Sequence, residues 1–207
     1  MLYYARRVLR RAVLVMMMMM AAGVAAAEDR PSDLVDVASV IPDAVIDIRY
    51  ATKDNFTGDV LYPKAVCKLR RAVAKRLAKA AEALRAQDRR LLVWDCYRPR
   101  SIQELLWKKV PDPRYVADPK VGSKHNRGAA IDLAVVDKAG KPVVLPTKFD
   151  EFTKAAHRDR ALAGDKGAEA RRLARAMRGA GFTGMPTEWW HYDAPDSARY
   201  ALSDEPL

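Results

Sequence analysis

The chain has 207 residues, half of them hydrophobic and 30% charged, and 37 Lys and Arg against 26 Asp and Glu leave a formal net charge of +11. That length holds one domain able to bury a core, and a composition with four tryptophans excludes a disordered chain. The basic residues are mixed with acids along helical faces, with no aromatic-interleaved basic strip, which argues against nucleic acid as a partner and for an anionic cell-wall or membrane-surface environment.

Residues 1–27 read as a signal peptide. Arg6, Arg7, Arg10 and Arg11 form a positive start, Ala12 to Ala22 is apolar with five consecutive methionines, and Ala25-Ala26-Ala27 is a small-residue cleavage pattern before Glu28. The apolar run is shorter than the ~20 residues of a spanning helix. Export to the periplasm or medium is therefore expected, with no stable membrane anchor after cleavage. Removing four arginines and no acid lowers the charge from +11 to +7 on residues 28–207, which form one domain.

Short strands are expected at Asp33 to Val37 and Val45 to Tyr50, separated by Pro42, with a turn-rich stretch Asp54 to Gly58 after them. Pro63 suits a first helical position, and Val66, Leu69, Val73, Leu77, Ala80 and Leu84 then recur at spacings of three and four, which predicts an amphipathic helix to about Ala86. Leu91 to Trp94 is a short strand, and Pro99 holds Arg98 extended at its end. A charged side chain there serves either function or an ordinary salt bridge. Ser101 to Lys109 reads as a helix and Ala129 to Val136 as a strand, turned back through Asp137 to Lys141 into a hairpin. Residues 146–166 read as a loop carrying Phe149-Asp150 and His157, residues 168–180 as a helix, and Glu188 to Tyr192 as the last core strand. Strands and helices without regular alternation predict an α+β fold with an antiparallel sheet.

Cys67 and Cys96 are the only cysteines. In an exported chain they are expected to form a disulfide, the alternative being two separate buried thiols. Of the three histidines, His157 sits in a polar stretch and is assigned either a structural role or one supporting the metal ligands from behind. His125, Asp132 and His191 supply the three nitrogen and oxygen donors of a catalytic zinc with one position left open. Glu188 precedes His191 by three residues and is suited to act as general base toward a metal-activated water. Neither the two-histidine helix motif nor a paired-cysteine motif is present, so spacing alone leaves ordinary core or surface histidines as the competing reading.

Taken together, Tyr50-Ala-Thr-Lys-Asp-Asn-Phe-Thr-Gly58, Trp94-Asp-Cys-Tyr-Arg-Pro99, Ser123-Lys-His-Asn-Arg-Gly-Ala-Ala-Ile-Asp132, Phe149-Asp150 and Glu188-Trp-Trp-His-Tyr192 resemble the zinc D-alanyl-D-alanine dipeptidases, in the same order and across nearly all of residues 28–207. The two zinc motifs are shared with D,D-carboxypeptidases and peptidoglycan endopeptidases, whereas the Tyr50 and Arg98 segments point to the dipeptidases. The resemblance implies a single-domain α+β fold of the Hedgehog/D,D-peptidase type, with a central antiparallel sheet flanked by helices. It implies one Zn²⁺ per chain on His125, Asp132 and His191, catalysis by Glu188 and Arg98, and hydrolysis of D-Ala-D-Ala to two D-alanines. Tyr50, Ser123 and Asp150 match positions that frame the substrate, Asp150 toward the dipeptide ammonium and Ser123 near its carboxylate, and Tyr62 is a further candidate. Cys96 stands where some members have glycine, and Leu145-Pro146-Thr147 departs from the family pattern. The alternatives are a D,D-carboxypeptidase acting on peptidoglycan stem peptides and a zinc-bearing wall-binding module without catalysis, which would need neither Glu188 nor Arg98.

Overall fold

The computed structural model describes residues 30–207, so the expected signal peptide lies outside the described residues. In chain order the elements are β1 (Leu34–Asp36), α1 (Val37–Val40), β2 (Val45–Ile46), β3 (Lys68–Arg70), α2 (Arg71–Arg85), β4 (Arg89–Asp95), α3 (Arg100–Lys109), β5 (Ala130–Asp137), α4 (Arg158–Ala163), α5 (Ala168–Gly179), β6 (Thr183–Gly184) and β7 (His191–Asp193). β1 and β3 form a two-stranded ribbon, and the main sheet has the order β2-β4-β5-β7-β6. Its pairs are antiparallel, as expected, except that the short edge strand β2 runs parallel to β4.

β5 is the central strand, and its residues from Ala130 to Val136 are buried on both faces. Alternation puts Asp132 on the face opposite Ile131, Leu133 and Val135. α2 and α5 pack against each other and on β4 and β5, presenting Val73, Leu77 and Leu84 from one and Leu173 and Met177 from the other. The members of each set lie four or seven residues apart, the spacing of one helical face.

The helix expected from Pro63 begins only at Arg71. Lys68–Arg70 instead pairs with β1, and Cys67 before it is disulfide-bonded to Cys96 at a Cα separation of 5.3 Å. Val66 and Leu69 carry helical spacing by coincidence, because a cross-link and a strand pair hold this segment extended. Two further expectations shorten. The return of the β5 hairpin is a single bridge, Val136 to Pro142, and the last strand begins at His191, which leaves Glu188 in an irregular link between β6 and β7.

Candidate active site

Sheet register builds the centre of the site. Asp132 on β5 lies opposite His191 on β7, and on its other side opposite Asp95 on β4. The second pairing exists because β4 carries an irregularity between Val93 and Asp95. Trp94 is the extra residue of this bulge, and without it the side chains of Asp95 and Asp132 would not share a row. His125 comes from a 3₁₀ turn, His125–Arg127, closed by Gly128 at φ 64. A Cβ at Gly128 would come within 2.6 Å of Leu34 Cδ2, so the turn needs glycine for both its dihedral and its packing.

The donor atoms of His125, Asp132 and His191 converge. His191 Nδ1 is 2.9 Å from Asp132 Oδ1 and 3.2 Å from His125 Nε2, and His125 Nε2 is 3.4 Å from Asp132 Oδ2. Ligands at about 2.0–2.1 Å from a tetrahedral ion are separated by roughly 3.3 Å, so the two imidazole nitrogens and the Asp132 carboxylate, which offers one oxygen to each ring, are spaced as three ligands of one ion. The rings are oriented from behind: His125 Nδ1 is 2.6 Å from the Cys96 carbonyl oxygen, and His191 Nε2 is 3.0 Å from Asp193 Oδ1. These bonds place a proton on the far nitrogen and leave the near one free for a metal. Lys124 in turn holds Asp193 at 2.7 Å. All three candidate ligands are buried, and the donor set suits a divalent transition ion.

The buried carboxylates and imidazoles perturb one another. Burial works against charge on Asp132, yet the His125 and His191 imidazoles outweigh it and hold this carboxyl well below the usual range. Burial also opposes the His191 cation, but the carboxylates of Asp132 and Asp193 raise that imidazole to about 10. Glu188 moves upward to about 7, chiefly through burial, with the nearby Asp132 charge adding to it and His191 opposing it. Asp150 is raised well above an ordinary carboxyl, first by withdrawal from water and then by Asp132 and Glu188. The three carboxyls Asp132, Asp150 and Glu188 thus crowd one interior, and a dication beside Asp132 would relieve their mutual repulsion.

Tyr50, Arg98, Ser123, His125, Asp132, Asp150, Glu188 and His191 all line one cavity of about 80 Å³, walled by Phe56, Leu106, Tyr115, Phe152 and Met185. Arg98 is buried, and its Nε and Nη2 donate to Asp95 Oδ2 at 3.1 and 2.6 Å, its Nη1 to Gln103 Oε1 at 2.8 Å. Its guanidinium lies 5.2 Å from the Tyr50 ring centroid, and Tyr50 donates its hydroxyl to Asp150 Oδ2 at 3.1 Å. Asp150 has φ 56, a left-handed backbone that aspartate tolerates better than most residues. Ser123 Oγ accepts the His125 N–H at 3.2 Å and so also braces the ligand turn.

Other candidates fall outside. Tyr62 does not line the cavity and instead donates to Asp95 Oδ1 at 2.6 Å, while His157 precedes α4, apart from the ligand cluster. Sequence reasoning missed Asp95, Gln103 and Asp193 as partners of Arg98 and His191. Asp95 had a signal, three residues before Arg98 in the same quoted segment. Gln103 had only its place one turn into α3, and Asp193 only its distance of two residues from His191.

Residues 30–205 match the model of the peptidase M15 family, described as D-ala-D-ala dipeptidase. The D-alanyl-D-alanine dipeptidase of Escherichia coli K12 is 38% identical over 172 residues, covering 83% of this chain and 89% of the relative. Proteins of the same name from Enterococcus faecalis and Enterococcus faecium are 32% and 30% identical, covering 72% and 77% of this chain and 85% and 86% of the relatives. A solved vancomycin-resistance D,D-dipeptidase in complex with a D-Ala-D-Ala phosphinate analogue covers 81% of this chain and 69% of its own at 19% identity, with a TM-score of 0.42, too weak a likeness to carry a statement about fold or substrate.

Proposed function

The chain belongs to the peptidase M15 D-Ala-D-Ala dipeptidase family, a family of metallopeptidases, and from that premise we propose that it is an exported zinc enzyme that hydrolyses D-Ala-D-Ala to two D-alanines. The observation that carries the substrate is the small cavity, with Asp150 and the three candidate ligands in its lining. Its 80 Å³ corresponds to about half a dozen waters at 10–15 Å³ each. A dipeptide is of that scale, and a stem pentapeptide needs an open groove.

His125, Asp132 and His191 would hold zinc, which supplies Lewis acidity that acidifies water and polarises a carbonyl. Glu188 accepts the proton of the attacking water and returns it to the leaving amine. Burial raises the proton affinity of this carboxyl, which suits a group that must take a proton and hold it until the amine leaves. The Arg98 guanidinium, always charged, faces the developing oxyanion, while Asp95 and Gln103 keep its planar fork in one orientation. Asp150, with the Tyr50 hydroxyl on its Oδ2, takes the substrate ammonium. That cation offsets the crowding by Asp132 and Glu188, so the carboxyl can ionise as the dipeptide arrives. Ser123 lies where it can bond the substrate carboxylate. The Cys67–Cys96 bridge supports export to an oxidising compartment.

Product analysis of purified, zinc-loaded protein tests this reading, with D-Ala-D-Ala and a stem pentapeptide as the two substrates. Release of D-alanine from the dipeptide is the expected result. Release from the pentapeptide with none from the dipeptide would make the protein a D,D-carboxypeptidase.

A further inference from the structure

Glu188 and Trp189 lie on the link between β6 and β7, a stretch without strand pairing of its own. The Trp189 N–H bonds the Ala156 carbonyl at 3.1 Å, the Trp189 indole bonds Thr147 Oγ1 at 2.9 Å and the Trp190 carbonyl accepts from Leu133 N–H at 3.1 Å, but one residue gathers most of the remaining carbonyls of the link. Arg158, the first residue of α4, donates from Nη2 to the carbonyl oxygens of Glu188, Trp189 and His191 at 3.2, 3.0 and 2.8 Å, and from Nε to that of Met185 at 2.9 Å. Its Nη1 donates to the Tyr192 hydroxyl at 3.1 Å, and its backbone N–H to the Pro186 carbonyl at 2.9 Å. The guanidinium stacks 4.4 Å from the Tyr192 ring centroid. On its other side a Cβ at Gly184 would collide with the guanidinium, which explains glycine in β6. Among the described residues no carboxylate pairs with Arg158. Its charge is spent on backbone carbonyls, and only a five-donor planar fork can serve so many at once.

We infer that Arg158 is the positioning residue of the site, fixing the link so that the Glu188 carboxylate stands over the ligand face made by His125, Asp132 and His191. This rests on the reading of Glu188 as the base. The dependence of the two neighbours on Arg158 is unequal. His191 is also held by its pairing with Asp132 on β5 and by Asp193, whereas among the described residues none donates a hydrogen bond to the Glu188 carboxylate, and its carbonyl accepts from Arg158. Loss of the clamp should therefore move the base and leave the ligands. A misplacement of about 1 Å is enough to cost on the order of a hundredfold in rate.

The test compares the full chain with Arg158→Ala, Arg158→Lys and Gly184→Ala, which pushes the guanidinium aside without removing it. Each is measured for bound zinc, for kcat and KM on D-Ala-D-Ala, and, without metal, for amide hydrogen exchange across residues 185–190. In all three, zinc stays stoichiometric and KM within a few-fold, kcat falls by about ten- to a hundredfold, and exchange rises in that link. Added guanidinium ion partly restores kcat in Arg158→Ala. In a Glu188→Gln background, Arg158→Ala lowers the residual rate by less than about twofold, because the base it positions is already gone. Multiplicative losses in that background, or parent-like kcat with parent-like exchange, would overturn the inference. If Arg158→Ala fails to fold, Gly184→Ala is judged by the same readouts. A fully active Glu188→Gln single variant would instead overturn the reading of Glu188, so the two failures are told apart.

Discussion

The carbonyl oxygen of Cys96 lies 2.6 Å from Nδ1 of His125, so the residue that orients one candidate ligand is itself half of the disulfide with Cys67. The bridge thus reaches the site through a single backbone group.

Reducing it should act twice. Releasing a loop of 29 residues' separation removes up to about 3–4 kcal/mol of stability, and loosening Cys96 weakens the bond that keeps the His125 proton away from the metal. Cys67→Ser with Cys96→Ser should melt lower and bind zinc about 10- to 100-fold more weakly in competition with a chelator. Unchanged zinc affinity in the less stable protein would show that the loop around Cys96 holds its carbonyl without help.

The ligand turn gives a second prediction, through Gly128. Alanine there must adopt φ 64 and press its Cβ on Leu34, at a cost of about 1–3 kcal/mol. Because the same residue closes the turn that carries His125, zinc affinity should fall with stability. Thermal melts with and without zinc check this, and a zinc-induced rise in Tm as large in the variant as in the parent would show that the turn keeps its zinc affinity despite the stability loss.

The site was legible where its chemistry uses rare residue types. With three histidines in the chain and two of them beside carboxylates, the candidates for a metal were few. Arg98 and Asp150 became legible through resemblance, since a strand-end arginine and a loop aspartate carry no periodic signal. What stayed hidden depends on pairing. Asp95 enters the row of Asp132 and His191 only because a bulge absorbs Trp94, and Arg158 looks like any polar helix start until the carbonyls of the β6–β7 link are seen around it. Periodicity misled at Lys68–Arg70, where strand pairing and the disulfide overrode a pattern that continued correctly into α2.

Metal uptake should be proton-coupled. In the metal-free protein His191 stays protonated up to about pH 10, because Asp132 and Asp193 outweigh the burial that opposes its charge. Its folded value lies above the ordinary 6.5, so the stabilisation is full below that pH and is lost as pH rises through about 10. A metal needs the neutral ring. Zinc binding at pH 8 should therefore release at least one proton, seen as a dependence of the calorimetric heat on buffer ionisation enthalpy, and apparent affinity should rise with pH. Uptake at pH 8 without proton release would mean that His191 is already neutral in the empty site.

The last prediction separates base from ligands and from the oxyanion donor. Glu188→Gln keeps the volume of the side chain but cannot take a proton at neutral pH, so zinc and dipeptide should still bind while turnover falls by about 10² to 10⁴. Arg98→Ala is a poorer probe than it looks, because Asp95 is fully buried and would lose its cation, a loss of about 3–5 kcal/mol in stability. Arg98→Lys keeps the charge and gives up the two bonds to Asp95 and the one to Gln103. It should retain zinc and fold, and lose about 10² to 10³ in kcat as the removal of an aimed oxyanion donor does. Zinc content and kcat measured on both variants decide the assignment. Should Glu188→Gln stay within a few-fold of the parent with zinc at full occupancy, Glu188 is a structural partner of the tryptophan link. Asp150, the other carboxyl lining the cavity whose proton affinity burial raises, is then the group to replace next.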